Sequence, residues 1–276
     1  MLRDVVDLLA CPHCAQGLTQ TNSTLQCENN HSFDIARQGY VSLLGGAGAA
    51  ASGDTAGMVS ARAQFLESGH YAPLMYALAE RVDPAVGTVL DVGAGTGHYL
   101  SAALDQSPQA VGIALDASKA AARRAAHAHP RAGSVLADTW QHLPIQDGCI
   151  DVATSVFAPR RTAELRRVLR PTGALLVLTP TVRHLQELVE PLGLLQVDER
   201  KPQRLAQSMD GVFTERDRTA LEFRMSVDHR ALEALVGMGP SAWHTTADVR
   251  AARIAALPDP VLVTASVLVA DYRPER

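Results

Sequence analysis

The sequence predicts an α/β protein: a parallel, doubly wound sheet of seven strands with an antiparallel edge, preceded by a small Cys/His-rich module. Three observations carry this. From Thr88 onward, apolar strand-like runs alternate with helical stretches, the pattern of a parallel sheet covered by helices. A loop with three glycines, Gly93, Gly95 and Gly97, joins the first such run to a helix. Three of the four cysteines fall within the first 27 residues.

Taken in order, residues 1–44 form the compact N-terminal module. Residues 45–57, GGAGAAASGDTAG, hold five Gly and five Ala. No core can be built from them, and they read as a mobile linker or loop. A helical pattern starts near Met58 and a second runs through 72–82, so 45–75 is read as linker plus connecting helix and 76–276 as the main domain. Strands are expected at 88–92, 110–116, 134–138, 149–157 and 173–180, with helices from His98, over 118–129 and over 162–170. A strand at 219–227, a helix at 229–237 and a strand at 260–272 complete seven strands. There is no internal repeat.

Composition sets limits. The 276 residues are 47% hydrophobic and 20% charged, and no run approaches the ~18 apolar residues of a membrane span. The opening MLRDVVDLLACPHC is broken by acids and lacks a small-residue cleavage site, so no signal peptide is read and a cytoplasmic, non-membrane protein is expected. The net charge of −4 taken alone argues against nucleic acid, because phosphate binding wants basic surface. Its distribution matters more. Residues 156–185 carry six arginines and one acid, a local +5.

The cysteines indicate a metal. Cys11 and Cys14 are two residues apart, twelve residues precede Cys27, and three more precede His31. Paired ligands on two tight turns suit one tetrahedral Zn²⁺. Four protein ligands leave no open position, so the zinc is structural, and a 40-residue module needs such a staple. Cys149 lies in an apolar run and is read as buried.

The sharpest signal is VLDVGAGTGHYL at 89–100. A glycine loop between strand and helix lets backbone approach a ligand and aims helix N–H groups at it. A dinucleotide site wants G-x-G-x-x-G, and here His98 stands where the third glycine would. Asp91 ahead of Gly93-Ala-Gly95-Thr-Gly97 resembles instead motif I of class I S-adenosylmethionine (AdoMet) methyltransferases, a Rossmann-like fold. Thr96 and His98 belong to the same loop. Asp116, 21 residues beyond Gly95, is placed to accept from both ribose hydroxyls, with a helix N-cap as its structural reading. Asp138 ends the third strand, at the adenine.

The stretch after the fourth strand bears on the acceptor. Val156-Phe157-Ala158-Pro159 lacks the N/D-P-P-F/Y of many amino-methyltransferases, which disfavours exocyclic amines and leaves ring nitrogen, carbon or oxygen. Phe157 is either a stacking platform or plain core. Arg160, Arg161, Arg166, Arg167, Arg170 and Arg183 are either a solvated helix face or a phosphate-contacting rim. Trp243 is a second stacking candidate.

The whole chain resembles one family. CPHC…C…NHSFDIARQGYVSLL (11–44), GDTAGMVSARAQFLESGHYAPL (53–74), LDVGAGTGHY (90–99), FAP (157–159) with AELRRVLRPTGALLVLTP (163–180), RHLQEL (183–188) and MGPSAW (238–243) are similar in order and content to the RlmA-type 23S rRNA (guanine-N1-)-methyltransferases. The loop reads GAGTGHY where other members carry C-G-E-G-Y. The resemblance implies AdoMet and structural zinc. It implies a 23S rRNA domain II hairpin as substrate and permits a homodimer with an RNA groove. It implies that Tyr71, the Gly93–His98 loop and His184 contact the cofactor, with His184 also the candidate base, and that Cys11, Cys14, Cys27 and His31 hold zinc and help position the RNA. The Arg-rich, Lys-poor composition, with 23 Arg among 25 basic residues, is typical of high-GC genomes and favours the macrolide (tylosin) resistance branch.

Overall fold

The computed structural model describes residues 1–45, 53–239 and 246–275. Two short 3-10 turns, Leu2–Asp4 and Val6–Leu8, lead into a three-stranded antiparallel ribbon of β1 (Thr19–Thr21), β2 (Thr24–Gln26) and β3 (Ser32–Asp34). There follow β4 (Tyr40–Ser42), α1 (Ala56–Glu67), α2 (Ala72–Ala79), β5 (Thr88–Val92), α3 (His98–Gln106), β6 (Val111–Asp116) and α4 (Lys119–Ala125). Next come β7 (Ala132–Leu136), β8 (Ile150–Val156), α5 (Thr162–Val168), β9 (Leu169–Pro180), α6 (Gln186–Leu192) and α7 (Lys201–Met209). The chain closes with β10 (Phe213–Val227), α8 (His229–Gly237), α9 (Ala247–Ala255) and β11 (Val261–Pro274).

The main sheet has order β10-β11-β9-β8-β5-β6-β7-β4; β11 alone runs against the other strands, so both of its pairings, with β9 and with the edge strand β10, are antiparallel. Seven of these strands are the expected doubly wound set with its antiparallel edge. The eighth, β4, pairs in parallel with β7 from Tyr40↔Ser134 to Ser42↔Leu136. Three residues are too few to show a period of two, so no sequence pattern announces it. Strand order reverses at β5, which has β8 on one side and β6 on the other, and such a switch point opens a crevice at the carboxyl ends of the strands.

Both faces of the sheet are packed. One face buries Phe65, Leu74, Leu78, Leu100, Leu104, Leu232 and Leu235 from the helices. On the other, Leu165, Val168, Leu205 and Met209 are joined by Leu2, Val5 and Leu9 of the N-terminal turns. That approach is close: a Cβ on Gly133 would lie 2.3 Å from Val5 Cγ2. The expected boundary at 44 is therefore crossed twice, because 1–10 fill one layer of the main core and β4 extends its sheet.

Helix starts follow local chemistry. Thr55 Oγ1 accepts from the Met58 amide, Ser118 Oγ from Ala121 and Asp228 Oδ1 from Ala231, satisfying donors that a first turn leaves open. Ser118, not Asp116, is thus the cap of α4. β10 begins at Phe213 rather than 219, because its polar run Glu215–Arg218 masks a strand held by register with β11. Helices α6, α7 and α9 are not among the expected elements. Part of the predicted linker, 46–52, lies outside the described residues.

Candidate active site and metal centre

The ribbon brings four ligands together. Cys14 Sγ lies 3.7 Å from Cys27 Sγ, and His31 Nδ1 lies 3.5 Å from Cys11 Sγ and 3.4 Å from Cys27 Sγ. All four ligand atoms fall within 4.8 Å of one another. A tetrahedron with zinc–ligand arms of about 2.0–2.3 Å has edges of about 3.5–3.8 Å, so the donor set fits Zn²⁺, with His31 ligating through Nδ1. Each ligand pair sits on a knuckle. The Ala15 amide donates to the Cys11 carbonyl at 2.8 Å and the Asn30 amide to the Cys27 carbonyl at 2.9 Å, with Ala15 and Asn30 in the left-handed region. Asn tolerates that region well. The Gln16 amide draws the Cys14 thiol down to about 6, favouring thiolate. His13 is not a ligand; its ring stacks 5.8 Å from that of Phe33.

The glycine loop lies at the switch point. Gly93 and Gly95 have φ of +77° and +55°, a region that favours glycine. A Cβ on Gly93 would come 2.5 Å from Ala158 Cβ. The Gly95 amide donates to Asp116 Oδ2 at 2.8 Å and the Ser118 amide to Oδ1 at 2.7 Å. Asp116 is therefore aimed by backbone and keeps acceptor capacity on both oxygens for a ribose, although burial raises its pKa. Asp91 is buried, and burial pushes it up to about 7 even though Thr154 Oγ1 donates to it at 2.7 Å. Thr96 Oγ1 and His98 Nδ1 are 2.7 Å apart at the start of α3. Asp138 is half-buried, two residues beyond the end of β7 rather than at it, and accepts from the Trp140 amide at 2.9 Å. These residues line one end of the strands as a nucleoside binder requires, and the chain's positive-φ cradle and buried acids fit AdoMet.

Beside the loop stands an aromatic group. Tyr71 Oη lies 3.0 Å from His184 Nε2, and the Ser266 amide donates to His184 Nδ1 at 3.2 Å. With Nδ1 an acceptor, the neutral ring carries its proton on Nε2 and gives it to Tyr71. His184 therefore has no free lone pair, and burial lowers it to about 4. This arrangement counts against the expectation of a base and turns the Nε2 side of His184 toward Tyr71. Phe157 is 39% exposed, at φ +52°, with its ring 5.5 Å from that of His184. It is an accessible face beside the site, not plain core.

The arginine stretch divides. Arg160 and Arg161 follow Phe157; Arg160 donates to the Ala158 carbonyl at 3.0 Å and Arg161 to the Trp140 carbonyl at 3.2 Å. Helix α5 then runs back along the sheet and carries Arg166, Arg167 and Arg170 to the other end. Arg167 binds Glu164, Asp147 and the carbonyls of Leu143 and Ile145. Arg170 pairs with Asp151, which caps the start of β5 through the Gly87 and Thr88 amides. Arg166 donates to the Glu275 carbonyl. A rim of Arg166, Arg167 and Arg170 beside the site is thus corrected. Arg183 pairs with Glu222. Trp243 lies outside the described residues. Sequence reasoning missed Thr154, Ser266 and Arg62, which contact the site from distant segments and belong to no spacing motif.

Comparison with known proteins gives a consistent picture. Residues 9–45 match the family model of the RlmA N-terminal zinc ribbon, and 89–173 match a methyltransferase domain. The chain is 49% identical to a 23S rRNA (guanine(748)-N(1))-methyltransferase of Streptomyces fradiae, covering 99% of each. It is 50% identical to a candidate 23S rRNA (guanine-N(1)-)-methyltransferase of Micromonospora griseorubida, over 98% of this chain and 99% of the relative. Among solved structures, the complex of the Haloferax volcanii Trm112 methyltransferase activator with its candidate methyltransferase shares the fold at TM-score 0.52 and 19% identity, covering 79% of this chain and 95% of that one.

Proposed function

The chain belongs to the RlmA-type family of 23S rRNA (guanine-N1-)-methyltransferases, and from that premise we propose that it methylates N1 of one guanosine in a domain II hairpin loop of 23S rRNA. The observation that carries this is near-full-length identity of 49% to a relative whose name places the methyl group on guanine 748. The zinc ligands and glycine loop are both in place. The same identity supports the resistance branch, in which the modified loop protects ribosomes from macrolides such as tylosin, and a cytoplasmic site of action. No helix among the described residues is long and apolar enough to cross a membrane.

The residues divide the work. The Gly93–Gly97 loop and Asp116 would hold AdoMet, with Asp138 beside its adenine. Bound AdoMet supplies a methyl group on a sulfonium, which leaves as a neutral thioether without an acid. Attack by guanine N1 requires loss of its proton, which would pass to bulk water since His184 has no lone pair to take it. Tyr71, accepting from His184, has its own hydroxyl proton free to donate, and a hydrogen bond to the guanine O6 would lower the cost of that loss. The target base must leave its stack to reach the site. Phe157 offers it a face, Arg160 and Arg161 follow in the same loop as candidate phosphate contacts, and the zinc ribbon grips the hairpin by shape. A dimer would present two such ribbons to one groove.

The test is primer extension on 23S rRNA after incubation with AdoMet. Methylation at one domain II guanosine supports the reading; label confined to small molecules contradicts it.

A further inference from the structure

We infer that Arg62 and the hydroxyl of Tyr99 together hold the methionine carboxylate of AdoMet, an assignment that rests on AdoMet being the ligand of the glycine loop. The first observation is the position of Arg62. Helix α1 carries it to the loop, where a Cβ built on Gly95 would lie 3.1 Å from Arg62 Nη1 and 3.3 Å from its Cδ. The guanidinium therefore rests directly on the loop at the place where only glycine leaves it room. Its Nη1 pairs with Asp54 Oδ2 at 2.5 Å and its Nη2 donates to the Met238 carbonyl at 3.0 Å. Asp54 is itself anchored, since Ser118 Oγ donates to its carbonyl at 2.6 Å. A guanidinium has five N–H donors, so two contacts fix its direction and leave three for a ligand.

The second observation is independent. Tyr99 lies in the first turn of α3, and its Oη is buried with no hydrogen-bond partner among the described residues. A buried hydroxyl in a folded protein normally has one. The group lies within electrostatic reach of Tyr71, Asp91 and Arg62. A cationic fork resting on Gly95 and an unpartnered O–H in the first turn after Gly97 thus flank the loop. That donor set suits a carboxylate, which accepts charge-assisted hydrogen bonds on both oxygens. AdoMet has one carboxylate, and it is the only anionic group of the molecule.

Binding calorimetry with AdoMet and with decarboxylated AdoMet, which keeps the adenosine and sulfonium, separates this role from a structural one. The unaltered protein is expected to bind AdoMet more tightly than the decarboxylated form by about 10- to 100-fold, the range of one charge-assisted pair. Arg62→Met should lose that advantage while binding the decarboxylated form unchanged. Arg62→Lys should keep part of it, and Tyr99→Phe should weaken AdoMet alone by a smaller factor. Equal affinity of the unaltered protein for both ligands, or equal loss of both in Arg62→Met, would overturn the assignment. If Arg62→Met fails to fold by circular dichroism, the unaltered protein and Arg62→Lys still decide. No binding of either ligand by the unaltered protein would instead overturn the cofactor reading.

Discussion

His184 gives its Nε2 proton to Tyr71 across 3.0 Å while its Nδ1 accepts the Ser266 amide. Both ring nitrogens are committed, and desolvation lowers the ring to about 4. The imidazole is neutral at physiological pH and has no lone pair for a substrate proton. Its effect on the reaction passes through the Tyr71 hydroxyl.

This makes a prediction that a base would not. His184→Gln, which retains a side-chain N–H donor, should keep more methyl transfer than His184→Ala, and Tyr71→Phe should lose about 10- to 100-fold in kcat. The pH–rate profile should keep the same inflections in His184→Gln as in the unaltered enzyme, since Asp91 and not His184 titrates near neutrality. An inflection that vanishes in His184→Gln would return the residue to the role of base.

Asp91 should be a stability liability kept for the cofactor. Its folded pKa of about 7 stands above the ordinary 3.8, with desolvation the largest cause. A raised carboxyl pKa contributes stability at low pH that is lost as pH climbs from about 4 through 7. His184, lowered to about 4, acts oppositely: its contribution falls away as pH drops from about 6.5 toward 4. Asp91→Asn keeps the acceptor for Thr154 and removes the buried charge. Urea unfolding at pH 8 should then show a gain of about 2–4 kcal/mol, AdoMet affinity should drop, and stability should fall more steeply with acid. Unchanged stability at pH 8 would mean that the carboxylate is well solvated.

Cys27→Ser should release about one zinc per chain and abolish rRNA methylation while AdoMet binding survives, because the ribbon stands apart from the glycine loop. Leu25 and Cys27 are nonetheless buried in the core that also holds Val5 and Leu9, so a drop in Tm should accompany metal loss. Zinc content by atomic emission and rRNA labelling check this; full methylation by a zinc-free variant would remove the ribbon from recognition.

The arginines should separate by role. Arg167 is buried against Glu164, which is itself mostly buried. Arg167→Met should cost about 1–3 kcal/mol, because it leaves Glu164 with only the Leu143 amide and His142 as partners and frees the carbonyls of Leu143 and Ile145. Arg161→Met should leave stability within about 0.5 kcal/mol and reduce the salt slope of rRNA binding by about one. The reverse pattern would restore the helix face as an RNA rim.

The sheet core was legible because β5, β6, β8 and β9 are nearly continuous apolar runs, and the loop because only glycines serve at Gly93 and Gly95. The zinc ligands were legible from spacing alone. The β4 addition, the Ser266 amide beneath His184, and Arg62 on Gly95 were not, since each is a contact between segments far apart in sequence. Counting arginines along 156–185 also misled: α5 reverses direction after Arg161, so sequence neighbours end at opposite ends of the strands.

The most direct measurement is reverse-transcription mapping of 23S rRNA treated with the purified protein and AdoMet, since an N1-methyl group blocks Watson–Crick pairing. One new stop, at a single guanosine in the domain II hairpin loop and lost in Gly95→Arg, is the predicted result. Stops at many positions, or none while label enters other RNA or small molecules, would contradict it.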